Sequence, residues 1–97
     1  ISPGEIESLS EWRIIDVREP HEWDGELRCI DGAERISQAK VASQARAWAK
    51  HDRLLMVCRS GRRSRNVAIT LLDMGFSDVT NLAGGMLAWK KTHPEPE

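Results

Sequence analysis

The sequence predicts an α/β domain built on a mainly parallel sheet, and three patterns carry that prediction. Arg13-Ile14-Ile15-Asp16-Val17 and Leu54-Leu55-Met56-Val57 are nearly unbroken apolar runs, as expected of strands buried on both faces. Between and after them lie stretches whose apolar residues recur at helical spacing. Strand and helix patterns alternate along the chain, which is the signature of parallel strands joined by helical crossovers.

Each element follows from local chemistry. Ser2-Pro3-Gly4-Glu5 reads as a helix start, with Ser at the N-cap, Pro at the first helical position and Glu closing a capping box. A short helix through Leu9 follows, then the strand at 13–17. Glu19 to Trp23 reads as one helical turn, closed by Asp24-Gly25, and Ala33 to Ile36 as a short strand. From Gln38 to Lys50, Val41, Ala45, Trp48 and Ala49 share a helical face, with Ser37 as the cap. The strand at 54–57 comes next and delivers Cys58 at its C-terminal end. Arg63 to Met74 presents Val67, Ala68, Leu71 and Leu72 on one face and stops at Gly75. Val79 to Leu82 is a last strand. Gly84-Gly85 breaks the chain before a final helix from Met86 to Lys91.

Size and composition bound the function. The 97 residues suit one domain, read as spanning 1–92, with 93–97 a polar tail or linker. The start at Ile1 and the polar end suggest a piece of a longer chain. Forty per cent apolar residues with four Trp suffice for a small core without staples. Two cysteines are too few for a disulfide framework, so reduced thiols and a cytoplasmic setting are the expectation. A net charge of −1 gives no general attraction to nucleic acid or anionic membrane. No apolar run is long enough to span a bilayer, and the sequence shows no signal-peptide pattern.

Cys58 carries the strongest functional signal. It ends a hydrophobic strand and precedes a loop and a helix, the place where open α/β sheets bind ligands. A loop running into a helix N-terminus aims free backbone N–H groups at one point. Arg59, Arg62, Arg63 and Arg65 add four positive charges nearby. Both influences favour thiolate over thiol and move the pKa from about 8.5 toward the range of about 3.5–7.5. They also attract an anionic substrate. A cysteine after a buried strand can be only a small apolar residue, and arginines can be only a solvated helix face. A cluster of cations at a helix N-terminus opposes the helix dipole, however, and an anion in the loop explains it better. No paired Cys or His stands at metal-ligand spacing, and no cofactor or metal is called for. His21, His51 and His93 fall in turns or the tail, and a thiolate ionised by its loop needs no general base. Trp12, Trp23 and Trp48 read as packing residues.

Four segments in order resemble the rhodanese (thiosulfate sulfurtransferase-like) single domains. Ile14 to Pro20 with His21-Glu22-Trp23 is similar to the family's opening motif, and Ile30-Asp31-Gly32-Ala33 to its central turn. Cys58-Arg59-Ser60-Gly61-Arg62-Arg63-Ser64 resembles its active-site loop. Leu82 to Trp89 resembles its C-terminal signature. The resemblance implies a five-stranded parallel sheet with helices on both faces. It implies a sulfurtransferase in which Cys58 takes sulfane sulfur from an anionic donor such as thiosulfate as a persulfide. A thiol or other nucleophilic acceptor, free or on a partner protein, then receives it. Arg59, Ser60, Gly61, Arg62, Arg63 and Ser64 would bind substrate, while Asp16 and Arg18 would support the loop. Trp89 and Gly84-Gly85 would shape the rim.

Two departures stand out: Cys29 occupies the family's usual His position and Asp31 its Pro. Cys29 is a candidate resolving thiol for Cys58. The expected partners are otherwise neither nucleic acid nor membrane, and the domain is expected as a monomer or as part of a longer chain. Alternatives of another kind are a non-catalytic interaction module, an arsenate reductase or a phosphatase. A phosphatase loop requires Arg six positions after the Cys to clamp phosphate; that position is Ser64, with Arg63 and Arg65 on either side. Arsenate reduction would need further thiols, for which Cys29 is the candidate.

Overall fold

Four apolar stretches become strands that lie parallel in one sheet. The computed structural model describes residues 12–23, 30 and 32–92. Strand β1 is Arg13–Asp16, β2 Glu34–Arg35, β3 Arg53–Val57 and β4 Asp78–Asn81, in the order β2-β1-β3-β4. Helix α1 is the single turn Pro20–Trp23, α2 is Gln38–Ala45, α3 is Arg62–Asp73 and α4 is Gly85–Thr92. The sheet has four strands among the described residues, not the five that the family resemblance implies. The four strand-like apolar runs of the sequence each correspond to one of these strands. The expected helix at residues 2–9 and the Asp24-Gly25 turn lie outside the described residues.

The alternation of β3 sorts the core into two layers. Leu54, Met56 and Cys58 face α2 and α3, where Val41, Ala45, Val67, Ala68 and Leu71 meet Ile15 and Val17 of the β1 side. Leu55 and Val57 face the other way, toward Ile14, Leu82 and Met86 of α4. Helices therefore cover both faces, as expected. Leu54, Leu55 and Met56 are fully buried, and each such side chain stabilises the fold by about 1.5–3 kcal/mol relative to exposure.

Helix α2 is shorter than the pattern predicts. After Ala45 the chain tightens into turns, with Ala47 N–H bonded to Gln44 O and Trp48 N–H to Ala45 O. This swings Trp48 onto Phe76, edge to face with ring centres 6.3 Å apart. Packing of one aromatic ring thus overrides helical spacing. Ser37 precedes α2 but makes no side-chain capping bond.

The strand order has a functional consequence. From β1 the chain moves outward to β2, then crosses back to place β3 on the other side of β1. The carboxyl ends of β1 and β3 flank the point where the winding reverses, and ligands of open α/β sheets bind there. Val17 N–H, just past β1, bonds Val57 O at 2.8 Å, so the two strand ends are held side by side.

Candidate active site

Cys58 stands at that reversal point, just past β3, and is buried. Its sulfur accepts a hydrogen bond from Gly61 N–H at 3.1 Å, and Ser64 Oγ lies 3.3 Å away. Burial pushes the thiol pKa up. The Ser64 hydroxyl and the backbone N–H groups of Ser64, Gly61 and Ser60 pull it down, and the net result is a lowered pKa. Sequence reasoning put the arginines among the causes, yet the largest favourable contributions come from the loop's own N–H and O–H groups.

The backbone explains why those N–H groups face inward. Gly61 caps α3 with φ of 92°, a left-handed conformation that glycine adopts without the steric penalty of a Cβ. A Cβ here would also stand 3.1 Å from Gly84 N and 3.2 Å from Leu82 O. The loop's carbonyls point the other way: Met86 N–H bonds Cys58 O at 2.8 Å and Leu87 N–H bonds Arg59 O at 3.0 Å. These donors are the free N–H groups of the first turn of α4. Gly85 permits the approach, because a Cβ there would fall 2.4 Å from Cys58 O. Carbonyls go to α4 and amides go to sulfur.

The charged residues form two groups. Asp16 and Arg18 make a buried pair, with Arg18 Nη2 2.7 Å from Asp16 Oδ2 and Nε 3.0 Å from Oδ1. Arg18 Nη1 also reaches Glu22 O at 3.4 Å. Glu22 in turn grips Arg63 through two parallel bonds of 2.7 and 2.8 Å. The hydrogen-bonded Arg63 guanidinium holds the Glu22 carboxyl down at about 2, against burial. Asp16, Arg18, Glu22 and Arg63 thereby link the end of β1 to the loop. Arg59 and Arg62 are exposed, with no carboxylate partner among the described residues.

Of the residues singled out from sequence, Cys58, Ser60, Gly61 and Ser64 converge on one point. Arg63 is committed to Glu22, and Cys29 lies outside the described residues. Two participants were missed. Glu22 sat in view within His21-Glu22-Trp23, but nothing local marks it as the partner of Arg63, 41 positions on. Asn81 closes β4; its Nδ2 donates to Gly61 O at 3.0 Å and its Oδ1 lies 2.5 Å from Ser64 Oγ. A polar residue ending a strand beside a glycine turn was the available clue.

Comparison with known proteins identifies the family. Residues 2–92 match the family described as the rhodanese-like domain. The chain belongs to the rhodanese family. It is 31% identical over 96 residues to "Thiosulfate sulfurtransferase GlpE" of Pseudomonas fluorescens, covering 97% of this chain and 86% of that relative. It is also 36% identical over 97 residues to "Probable adenylyltransferase/sulfurtransferase MoeZ" of Mycobacterium tuberculosis. There the match covers 94% of this chain but only 24% of the relative's length. Among solved structures, a rhodanese-like domain protein from Staphylococcus aureus superposes with a TM-score of 0.78 at 30% identity, covering 92% of this chain and 88% of that one. The rhodanese reading of the sequence therefore stands, and with it membership of a sulfurtransferase-type family.

Proposed function

We propose that this rhodanese domain is a sulfurtransferase that carries sulfane sulfur on Cys58. The thiolate attacks the outer sulfur of an anionic donor such as thiosulfate. A new S–S bond forms to Cys58, the donor's own S–S bond breaks, and its electron pair leaves with sulfite. The acceptor thiolate then attacks the outer sulfur of the persulfide, and Cys58 leaves as thiolate. No redox co-reactant is consumed in either step.

The observation that carries this reading is the ring of donors around Cys58 Sγ, led by Gly61 N–H at 3.1 Å. Such donors stabilise negative charge on sulfur before and after transfer. Arg59 and Arg62, exposed at the loop, supply attraction for the donor's charge. The buried Ser64 supports sulfur over phosphate. A small hydroxyl fills the position where a phosphate clamp needs a guanidinium, and Glu22 occupies the adjacent Arg63.

Intact-mass measurement after exposure to thiosulfate tests the proposal. The chain should gain the mass of one sulfur atom, lose it to cyanide or a thiol, and gain none as Cys58→Ser. An aryl phosphate should remain unhydrolysed. Absence of the sulfur adduct on the unsubstituted chain would sink the reading.

A further inference from the structure

Ser64 has one hydroxyl hydrogen and two neighbours placed to receive it. The orientation of Asn81 follows from its partners. Gly61 O only accepts, so the amide nitrogen faces it at 3.0 Å. The amide oxygen, which also only accepts, is then turned to Ser64 Oγ at 2.5 Å. That bond uses the single hydrogen of Ser64. Toward Cys58 Sγ, 3.3 Å away, the hydroxyl is left presenting lone pairs. Such an arrangement suits a thiol, whose S–H can donate to Oγ. It does not suit a thiolate, which draws the hydrogen to itself and strips it from Asn81.

We propose that Asn81 is a positioning residue that competes with the Cys58 sulfur for the one hydrogen of Ser64, and so governs how readily the thiolate forms. The hydroxyl is a two-position rotor, turned to Asn81 when the sulfur is neutral and to the sulfur when it is charged. Asn81 has a second, opposed action through Gly61. By holding Gly61 O outward it keeps Gly61 N–H aimed at sulfur. The charged groups on the elements packed around Cys58 are the Asp16–Arg18 pair at the end of β1, Glu22 of α1, and Arg63 of α3. Arg59 and Arg62 lie on the loop and at the start of α3. Asn81 is the contribution of β4, and it is neutral.

The two actions separate in a double-substitution cycle. The pH profile of Cys58 alkylation by iodoacetamide would be measured for the unsubstituted chain, Asn81→Ala, Ser64→Ala and the double variant. Removal of Asn81 should shift the midpoint downward relative to the shift it causes when Ser64 is already Ala. The expected difference is about threefold in the thiolate-to-thiol ratio, half a pKa unit. Equal shifts in the two backgrounds would mean that Asn81 acts through Gly61 alone, and would overturn the proposal. Asn81→Val, a β-branched side chain suited to a strand end, is measured alongside and must give the same sign; circular dichroism verifies that each variant is folded. The inference rests on Cys58 as the nucleophile. Alkylation reads the thiolate directly, so a failure of thiosulfate loading and a failure of this competition remain distinguishable.

Discussion

Where the strands begin, arginine lies across the surface; where β1 ends, it is buried. At the first end Arg13 stacks over Trp48 at 4.3 Å and bonds Glu34, with Asp52 at 3.4 Å. Arg53 stacks over Trp12 at 4.2 Å and bonds Asp78. These side chains keep much of their surface in water, with 31% for Arg13 and 44% for Arg53. At the other end Arg18 and Asp16 are each 1% exposed. Exposed pairs are screened by solvent and contribute little. A buried pair cannot lose one partner without stranding the other's charge. The same residue type is thus optional at one end and obligatory at the other, and the obligatory end is the one beneath Cys58.

Substitutions at the two ends test that contrast. The largest effect is expected for Arg18→Ala, which leaves the Asp16 carboxylate buried without its partner. Urea unfolding should register a loss of about 3–5 kcal/mol. A loss below about 1 kcal/mol would erase the distinction between the ends.

Glu22→Gln is the intermediate case. Arg63 is 34% exposed on its side chain, which screens the pair, so a stability loss of about 1 kcal/mol is expected. The sign of its pH dependence is set by the lowered carboxyl. Glu22 falls from an ordinary carboxylate value of about 4.3 to about 2 in the folded chain. Its contribution is present in full above the ordinary value and disappears as pH falls through about 2. Stability measured from pH 5 down to 2 should therefore fall less steeply for Glu22→Gln than for the unsubstituted chain. Parallel curves would refute the role of this pair.

Arg13→Ala should do least. Loss of a partly exposed ion pair and of the stacking on Trp48 amounts to about 0.5 kcal/mol. The alkylation profile of Cys58 should not move at all, because the substitution is at the opposite end of the sheet. A shift in that profile would mean the two ends communicate through β1.

The legible parts of this molecule are those encoded by near neighbours in sequence. Leu54 to Val57 are four apolar residues in a row, and a strand buried on both faces is the structure that hides them all. Val67, Ala68 and Leu71 declare a helix face by spacing alone. Cys58 was legible because a strand, a loop and a helix met at one residue. The end of α2 was not, because Trp48 continues the helical pattern while its contacts with Phe76 and Arg13 hold it elsewhere. Glu22 and Asn81 escaped notice for a related reason. Each is an ordinary polar residue whose partner lies 41 and 17 positions away, respectively.

By itself the sequence determined an alternating α/β chain, its two-sided core and a cysteine delivered to the head of a loop that runs into a helix, since all three follow from local periodicity and backbone geometry. The tertiary structure decided the four-strand order, and with it the reversal point that brings β1 and β3 together beneath the loop. It also decided which arginine is paired, because only folding brings Glu22 to Arg63, while Arg59 and Arg62 stay exposed. The supply of hydrogen bonds to Cys58 was decided there too. Backbone carbonyls can turn away from sulfur only when the N-terminus of α4 is present to receive them, and Ser64 can be divided between two acceptors only when β4 carries Asn81 alongside.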